Sequence, residues 1–575
     1  MHDYIPPIDD YRFLMGSVLG FDAAMAELSL DIDTDLAATV LEEAGKLCAE
    51  RLHPINREGD EQGSLLANGV VTTPPGFADA YREFVAAGWP ALAGDPAYGG
   101  QGLPFILQLW LDEMMSATNL SFGLFPGLTR GAAEAIAAHA SEDLKAAYLP
   151  QLVSGEWTGA MALTESGAGS DLALLKTRAE PLDDGRYAVS GQKIFISSGD
   201  HDMAANIIHL VLARLPDAPP GVKGISLFLV PKLLPDGARN LMSVGSLEKK
   251  MGIHAQPTCV MNYDGAIGWL VGAPHRGLAA MFTMMNAERL MVGVQGLGIA
   301  GAAYQQAVAY ARDRLQGRSA DGARNPVPII EHADVRRMLL TIRSFVEAAR
   351  ALAGWTALQM DRAHRHPDAA ARAKADAFVA LLTPVVKAAF TDFGFESAVQ
   401  AQQIFGGHGY IREWGMEQYV RDARIAQIYE GTNGIQAMDL VERKLTLGSG
   451  QVANDFFALI TADLDTIDGT GNATPIVEKT RAALTLLIDA TAALHNAELG
   501  EKRAAATDYL RLFALVCFGW MWTRMAAADG DTAIHRAKRQ VATFYADRVL
   551  PQAQGLAAQL TSSAAPILEF DLEAF

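Results

Sequence analysis

One carboxylate in this chain stands on a turn with unusual neighbours. In Arg421-Asp-Ala-Arg-Ile-Ala-Gln-Ile-Tyr-Glu-Gly-Thr-Asn-Gly-Ile-Gln436 a charged helix end runs through Ile428 and Tyr429 to Glu430. Gly431, Asn433 and Gly434 then break the chain before a second helix at about Ile435. A carboxylate on a tight turn between two helices can be held rigidly with its head in a cavity, which suits a base that must reach one C–H bond. Negative charge near a helix start is also favoured by the helix dipole, so the turn alone admits a purely structural reading.

Three other stretches carry residue types that could hold a cofactor. Met161-Ala-Leu-Thr-Glu-Ser-Gly-Ala-Gly-Ser-Asp171 reads as a strand that ends at Thr164 in a glycine loop with flanking hydroxyls. Free backbone N–H groups on such a loop can cradle a phosphate or a polar cofactor edge. Gly191-Gln-Lys-Ile-Phe-Ile-Ser-Ser-Gly199 reads as a strand with Phe195 and Ser197 on one face. An aromatic beside a hydroxyl can stack on a flat ring and bond its edge, although ordinary cores contain such pairs too. Ala401-Gln-Gln-Ile-Phe-Gly-Gly-His-Gly-Tyr410 ends a helix at a double glycine, where main chain can approach a diphosphate closely.

Two further patterns lead away from chemistry. Gly296-Leu-Gly298-Ile-Ala-Gly301 fits G-x-G-x-x-G, but it lies inside helical periodicity and not between a strand and a helix. It reads as small residues that let helices pack closely. His364 and His366, before Pro367, read as surface loop residues, and with no carboxylate–His cluster no metal is expected.

Composition bounds the rest. At 575 residues, half of them hydrophobic and 20% charged, the chain can build about four domain-sized units with large cores. A formal charge of −19 argues against general affinity for nucleic acid or anionic lipid, while leaving room for a local basic pocket. Cys48, Cys259 and Cys517 lie far apart with neither metal-ligand nor disulfide-framework spacing. The acidic, proline-broken start is no secretory or transit signal, and apolar runs such as 207–211 and 512–522 are too short to span a bilayer. A cytoplasmic protein is expected.

The elements that must position these residues fall into segregated blocks. Residues 1–34 read as an N-terminal strap with a helical piece near 11–19, and 35–156 as a helical domain with helices over 35–50, 76–87, 107–117 and 129–140. Ser141 is a candidate N-cap. Short β-branched and aromatic runs at 187–189, 193–197, 206–213, 224–230 and 258–263 mark a β domain over 157–275. Helical composition returns over 276–447, which carries Glu430. Glycine-rich breaks at 448–454 and 468–472 set off a C-terminal helical extension over 448–575. The expected class is α+β.

Together the four chemical stretches resemble the acyl-CoA dehydrogenase family. The first matches its T-E-x-G-A-G-S-D loop and the second its K-x-[WF]-I-[ST] strand. The third matches its Q-x-F-G-G-x-G-[YF] turn, and the stretch around Glu430 its R-D-A-[RK]-I-x-x-I-Y-E-G-T turn. All occur in the family's order and α–β–α layout over roughly 35–447. The resemblance implies a helical domain, a β-barrel or sandwich domain and a four-helix bundle, with FAD held between subunits of a homo-oligomer, a dimer before a tetramer. Leu163, Thr164, Ser170, Phe195 and Ser197 would contact the flavin region from one subunit. Arg314, Gln403 and Gly407 would reach the diphosphate and adenosine of the neighbour's FAD, and Thr432 would return to the first site. Ser170, Asn286, Arg289, Tyr429 and Gly431 match substrate-side positions, with Arg289 suited to CoA phosphates or, in the plain alternative, an exposed helix arginine.

The implied reaction is α,β-dehydrogenation of an acyl thioester. Glu430 takes the α-proton, the β-carbon gives hydride to flavin N5, and an electron-transfer flavoprotein receives the electrons. In this family the Glu main-chain N–H and a ribityl hydroxyl polarise the thioester carbonyl, and burial against the flavin should raise the Glu430 pKa. The chain departs from the pattern in three places. Arg314-Leu-Gln-Gly-Arg318 replaces R-x-[TS]-F-G, Asn433-Gly434 stands where Ser-x-Gln is usual, and Ser166 replaces a common proline.

Ser246-Leu-Glu-Lys-Lys-Met-Gly252, Phe282-Thr-Met-Met-Asn286 and the extra C-terminal domain are similar to the subfamily that contains the bacterial 3-methylmercaptopropionyl-CoA dehydrogenases of dimethylsulfoniopropionate demethylation. A short or thioether-containing acyl-CoA is therefore the expected substrate. The alternatives are a medium- or long-chain dehydrogenase of β-oxidation, an acyl-CoA oxidase, or a non-catalytic DNA-binding alkylation-response flavoprotein. The last would need a basic domain, which 448–575 is not.

Overall fold

The computed structural model describes residues 2–318, 325–468 and 473–575. Within them the chain forms two compact units. The first contains 1–45, 104–117 and 292–575, the second 46–103 and 118–291.

The second unit holds the sheet. Its long strands are β1 (Trp157–Ala162), β2 (Arg178–Pro181), β3 (Tyr187–Ser197), β4 (Asn206–Arg214), β5 (Ile225–Pro231), β6 (Met242–Leu247) and β7 (Thr258–Val271). Strand β4 pairs with β5, β5 with β7, β7 with β3, β3 with β2, and β2 returns to β4 through Arg178 and Arg214. The ring closes, with β1 added parallel to β4 and β6 added to β7. Residues 206–213 and 225–231 are buried throughout because both strand faces are covered, and all but Asn206, His209 and Ser226 are apolar. Ile208, Leu210, Leu212, Leu227 and Leu229 pack against helical residues such as Ile136, Leu149 and Met281. Their neighbours Ile207, Val211, Phe228 and Val230 face Val189, Ile196 and Tyr263 inside the ring. Each such large side chain removed from water stabilises by roughly 1.5–3 kcal/mol.

Several sequence expectations change here. Segments 187–189 and 193–197 are one strand, and β2 and β6 were not anticipated. The gap left between helices 107–117 and 129–140 is helical, because Phe105–His139 runs through it with a break at Asn119. The Asn119 side chain accepts a hydrogen bond from Phe122 N and so caps the second half. A hairpin over Leu65–Ala67 and Val70–Thr72 turns at Asn68-Gly69, both in the left-handed region. Ser141 caps its helix by accepting from Leu144 N.

In the first unit the helices Ala333–Arg365 and Ala369–Ile404 lie side by side with Leu499–Ala527 of the extension. Trp355 meets Trp520 edge to face at 5.2 Å, and Trp522 Nε1 donates to Ser344 O at 2.9 Å. The extension therefore shares the bundle's core. Gly448, Ser449 and Gly450 all have positive φ, which makes the break that the glycines suggest. The second expected break, at 468–472, lies from Gly469 onward outside the described residues. The G-x-G-x-x-G stretch is a packing surface. A Cβ on Gly296 would sit 2.4 Å from Phe390 O, and one on Gly298 2.5 Å from Glu113 O. Helix Ala369–Ile404 is long and apolar enough to cross a membrane by length and composition, but 78% of its most apolar window is buried inside the protein.

Candidate active site

Glu430 sits in the first unit with φ +56°, followed by Gly431 at +84°. Two consecutive left-handed residues reverse the chain at once, and for a non-glycine residue this costs about 1–3 kcal/mol. Local structure persists against that cost only when its surroundings hold it, and here they do. Asn433 N donates to Gln427 O across the turn. The Asn433 side chain reaches inward. Its Oδ1 accepts from Lys387 Nζ at 2.8 Å, and its Nδ2 donates to Asp392 Oδ1 at 2.7 Å and Thr391 Oγ1 at 2.9 Å. Gln427 Nε2 donates to the same Asp392 oxygen at 2.6 Å. Burial raises the pKa of Asp392, against the pull of those two donors. Tyr429 hydroxyl donates to Gln295 Oε1.

The residues of this turn divide by what they touch. Asn433, the departure from Ser-x-Gln, is the bracket that joins both ends of the turn to the buried Lys387. Thr432 accepts from Ile435 N and caps helix Asn433–Asp439, which begins two residues earlier than expected. Gln436, fully buried, points its amide towards the Glu430 and Gly431 carbonyls.

Arg314, Gln403 and Gly407 form a second group in the same unit, all exposed. Tyr310 brings their segments together. Its ring stacks on Phe405 at 4.0 Å, and its hydroxyl bonds His408 Nδ1 at 2.9 Å. Gly406 takes the left-handed backbone, and a Cβ on Gly407 would meet nothing within 4 Å. This face is open.

The second unit carries the glycine loop and the strand with Phe195. Strict alternation would put Lys193, Phe195 and Ser197 on one face. Instead β3 has a register shift between Lys193 and Ile196, and Phe195 adopts φ +60°. The bulge buries Lys193 completely and leaves the Phe195 ring 58% exposed, with Ser197 half-buried beyond it. Lys193 Nζ donates to Leu163 O at 2.8 Å and Glu165 Oε1 at 2.9 Å, and Ile194 N donates to Thr164 O at 2.9 Å. Glu165 also accepts from Lys176 N, Thr177 N and Thr177 Oγ1. Leu163, Thr164, Phe195 and Ser197 are thereby locked beside one another. Lys193 and Glu165 do the locking, and the motif reading had given neither a role. Ser170 is exposed at the far end of the loop, and Cβ atoms on Gly167 and Gly169 would meet nothing within 4 Å. An exposed ring beside an open glycine loop fits the flat face and polar edge of a flavin.

Asn286 and Arg289 lie on the helix Gly277–Asp313. Asn286 is exposed, but Arg289 is only 6% exposed, so the plain alternative of an exposed helix arginine does not hold. Its Nη1 donates to Asn286 Oδ1 at 3.3 Å, and the guanidinium lies over Phe282. Among the described residues no group of His, Cys, Asp and Glu could hold a metal ion. His366 pairs with Glu27, and His364 bonds Met360 O.

Comparison with known proteins matches these blocks in order. Models of the acyl-CoA dehydrogenase N-terminal, middle and C-terminal domains match residues 34–156, 160–266 and 275–445. A model described as acetyl-CoA dehydrogenase C-terminal like matches 456–571. The chain is 41% identical over 587 residues to the 3-methylmercaptopropionyl-CoA dehydrogenase of Ruegeria pomeroyi, covering 99% of this chain and 100% of that one. Butyryl-CoA dehydrogenase from Megasphaera elsdenii is 26% identical with a TM-score of 0.60, covering 72% of this chain and 100% of that one. An acyl-CoA dehydrogenase from Bacillus anthracis, complexed with FAD, is 19% identical with a TM-score of 0.75, covering 92% and 88%. With its domains matched in sequence and order from near the first residue to near the last, the chain belongs to the acyl-CoA dehydrogenase family.

Proposed function

We propose that Glu430 is the α-proton acceptor in the dehydrogenation of a short acyl-CoA, with 3-methylmercaptopropionyl-CoA the leading candidate. The reaction class follows from the family: the protein is an FAD-dependent oxidoreductase acting on an acyl-CoA. The observation that carries the proposal is the left-handed Glu430 on a turn braced by Asn433, Gln427 and Asp392. Strain held this firmly at a carboxylate is what positioning a base requires.

The α-proton of a thioester is weakly acidic, so Glu430 must be placed against it and the carbonyl must be polarised. The Glu430 main-chain N–H supplies one donor for that oxygen, while Tyr429 and Gly431 flank the acyl group. The bound flavin supplies the acceptor for the β-hydride. Leu163, Thr164, Ser170, Phe195 and Ser197 hold its ring region, with Thr432 contributing from the turn. Arg314, Gln403 and Gly407 are exposed on one copy and take the diphosphate and adenosine of a second copy's FAD, so the working form is a homo-oligomer, a dimer first. Asn286 and Arg289 serve the CoA portion. An electron-transfer flavoprotein removes the electrons, and three buried cysteines without disulfide-framework spacing suit a cytoplasmic setting.

Anaerobic mixing with a panel of acyl-CoAs tests this reading. 3-Methylmercaptopropionyl-CoA should bleach the flavin faster than octanoyl- or palmitoyl-CoA. Glu430→Gln should keep its FAD and slow bleaching about 10²–10⁴-fold. Bleaching at the parent rate by a FAD-loaded Glu430→Gln variant would falsify the assigned base.

A further inference from the structure

Two features of the first unit have no part in this chemistry. The first is a groove of about 900 Å³ between the bundle helices Ala333–Arg365 and Ala369–Ile404 and the extension. Arg336, Arg337, Arg511 and Arg548 line it together with the half-buried Phe544, over a base of buried residues that includes Phe393 and Phe518. Asp334 and Glu396 are its acidic residues, so four arginines against two carboxylates leave two positive charges, in a chain of net charge −19. Glu396 is taken by Arg511 at 2.7 and 3.0 Å, and Asp334 by Arg337 at 2.8 Å. Arg548 is exposed at the rim. In the wall, Gln400 Oε1 is buried without a hydrogen-bond donor among the described residues. A buried acceptor of this kind needs a donor such as a peptide N–H.

The second feature is the segment 567–575, Ile-Leu-Glu-Phe-Asp-Leu-Glu-Ala-Phe. Its apolar side chains stand in water, with Leu572 84% and Phe575 90% exposed. Glu569, Asp571 and Glu573 alternate with them. A run of exposed large apolar residues marks an interaction site. Its chemistry, aromatic and aliphatic groups interleaved with three negative charges, is the complement of the groove.

We propose that the acidic-apolar segment 567–575 of one copy seats in the arginine- and phenylalanine-lined groove of a second copy. Phe570 and Phe575 pack against the half-buried Phe544 and the apolar stems of the arginines, the carboxylates meet Arg336 and Arg548, and a peptide N–H satisfies Gln400 Oε1. The exchange is reciprocal, since each copy has one segment and one groove, so two copies close a symmetric pair. In its own chain the segment begins elsewhere. Leu568 lies beside Gly500, while the groove residues of helix Leu499–Ala527 begin eleven positions on, at Arg511, about 16 Å along the axis.

Cross-linking the FAD-loaded full chain tests the exchange. All three native cysteines are buried, so paired Leu572→Cys and Gln552→Cys substitutions can be oxidised selectively with diamide. The expected product is a band of twice the chain mass on a non-reducing denaturing gel, absent from either single variant. Charge reversal with Arg336→Glu and Arg548→Glu should reduce that band at least tenfold while leaving acyl-CoA turnover unchanged. An internal disulfide at monomer mass would overturn the exchange in favour of the chain's own segment, and no disulfide at all would overturn the docking. As a second measurement, a fluorescent peptide of residues 565–575 should bind a chain truncated before Ile567 and should fail to bind its Arg336→Glu/Arg548→Glu form. Equal binding to both forms also overturns the proposal.

Discussion

Lys193 and Glu165, 28 residues apart, form a buried ion pair at 2.9 Å that ties the strand bearing Phe195 to the glycine loop. Burial pulls the Lys193 pKa down to about 8 despite the opposing pull of Glu165. Burial would also raise Glu165, but Lys193 and the donors from Thr177 and Lys176 hold its carboxyl below the usual range. The pair is therefore charged at neutral pH, and its value is geometric, because it fixes Leu163 and Thr164 against the bulge.

Lys193→Met leaves Glu165 as a buried carboxylate without its cation. Loss of one partner from such a pair costs about 3–5 kcal/mol, read as a lower urea midpoint. The same variant should lose FAD on gel filtration where the parent keeps it. Lys193→Met with Glu165→Gln should recover most of the stability. A variant with parent-like stability and FAD retention would show that the loop is held by its backbone alone.

Asn433→Ala removes the bracket beneath Glu430 and leaves Lys387, which is fully buried, without its Asn433 acceptor. The turn should relax from its left-handed geometry. Flavin reduction by acyl-CoA should slow about 10²-fold with little change in FAD content, since a misplacement near 1 Å can cost that much. If Asn433→Ala instead lowers FAD retention and leaves the reduction rate intact, Asn433 belongs to cofactor binding and not to placing the base.

The turn was legible because Gly431, Asn433 and Gly434 punctuate two helical patterns, and the β domain because β-branched runs repeat between turn residues, while the closure of its strands into a ring was not. Nor was the bracing. Lys-Ile-Phe-Ile reads as simple alternation, and only the bulge, imposed by pairing with the distant residues 258–261, turns Lys193 inward. Asn433 read only as a departure from Ser-x-Gln because its partners Lys387, Thr391 and Asp392 lie more than 40 residues away. The helical stretch around Asn119 was missed for a local reason. One Asn capping an internal break leaves the apolar pattern weak without ending it. The hairpin at Asn68-Gly69 carried a strong turn signal that went unread.

His201 and His209 give the second unit a defined acid limit. Burial lowers His209 to about 4 and His201 to about 3. His209 bonds Tyr263 at 2.8 Å and His201 bonds Thr158 at 2.9 Å. The unfolded chain takes up protons below about pH 6.5 while the folded histidines stay neutral. Stability is thus fully present above pH 6.5 and falls as pH drops towards 4. At pH 5 the loss is about 2 kcal/mol for each group. Urea unfolding at pH 7 and pH 5 measures it, and His209→Gln should halve the pH-dependent part. A midpoint that holds steady from pH 7 to 5 would rule out neutral buried histidines.

Lys538 decides whether the extension is structurally optional. It is buried on helix Ala533–Arg548, with Nζ on Glu347 at 3.0 Å and on Asp10 of the N-terminal segment. Asp10 also meets Arg350 at 2.5 Å, and Arg350 pairs with Glu113 at 2.6 Å. Burial works to raise the Asp10 pKa, yet Lys538 and Arg350 together bring it to about 2. One lysine of the extension thus neutralises carboxylates from two distant parts of the chain. Lys538→Met should cost about 3–5 kcal/mol and expose both the N-terminal segment and the extension to limited proteolysis. Adding Asp10→Asn removes one of the two carboxylates that Lys538 had neutralised and should restore about half of the loss. A Lys538→Met chain with parent-like stability and protease resistance would mean that the aromatic contacts around Trp355 and Trp520 hold the extension unaided.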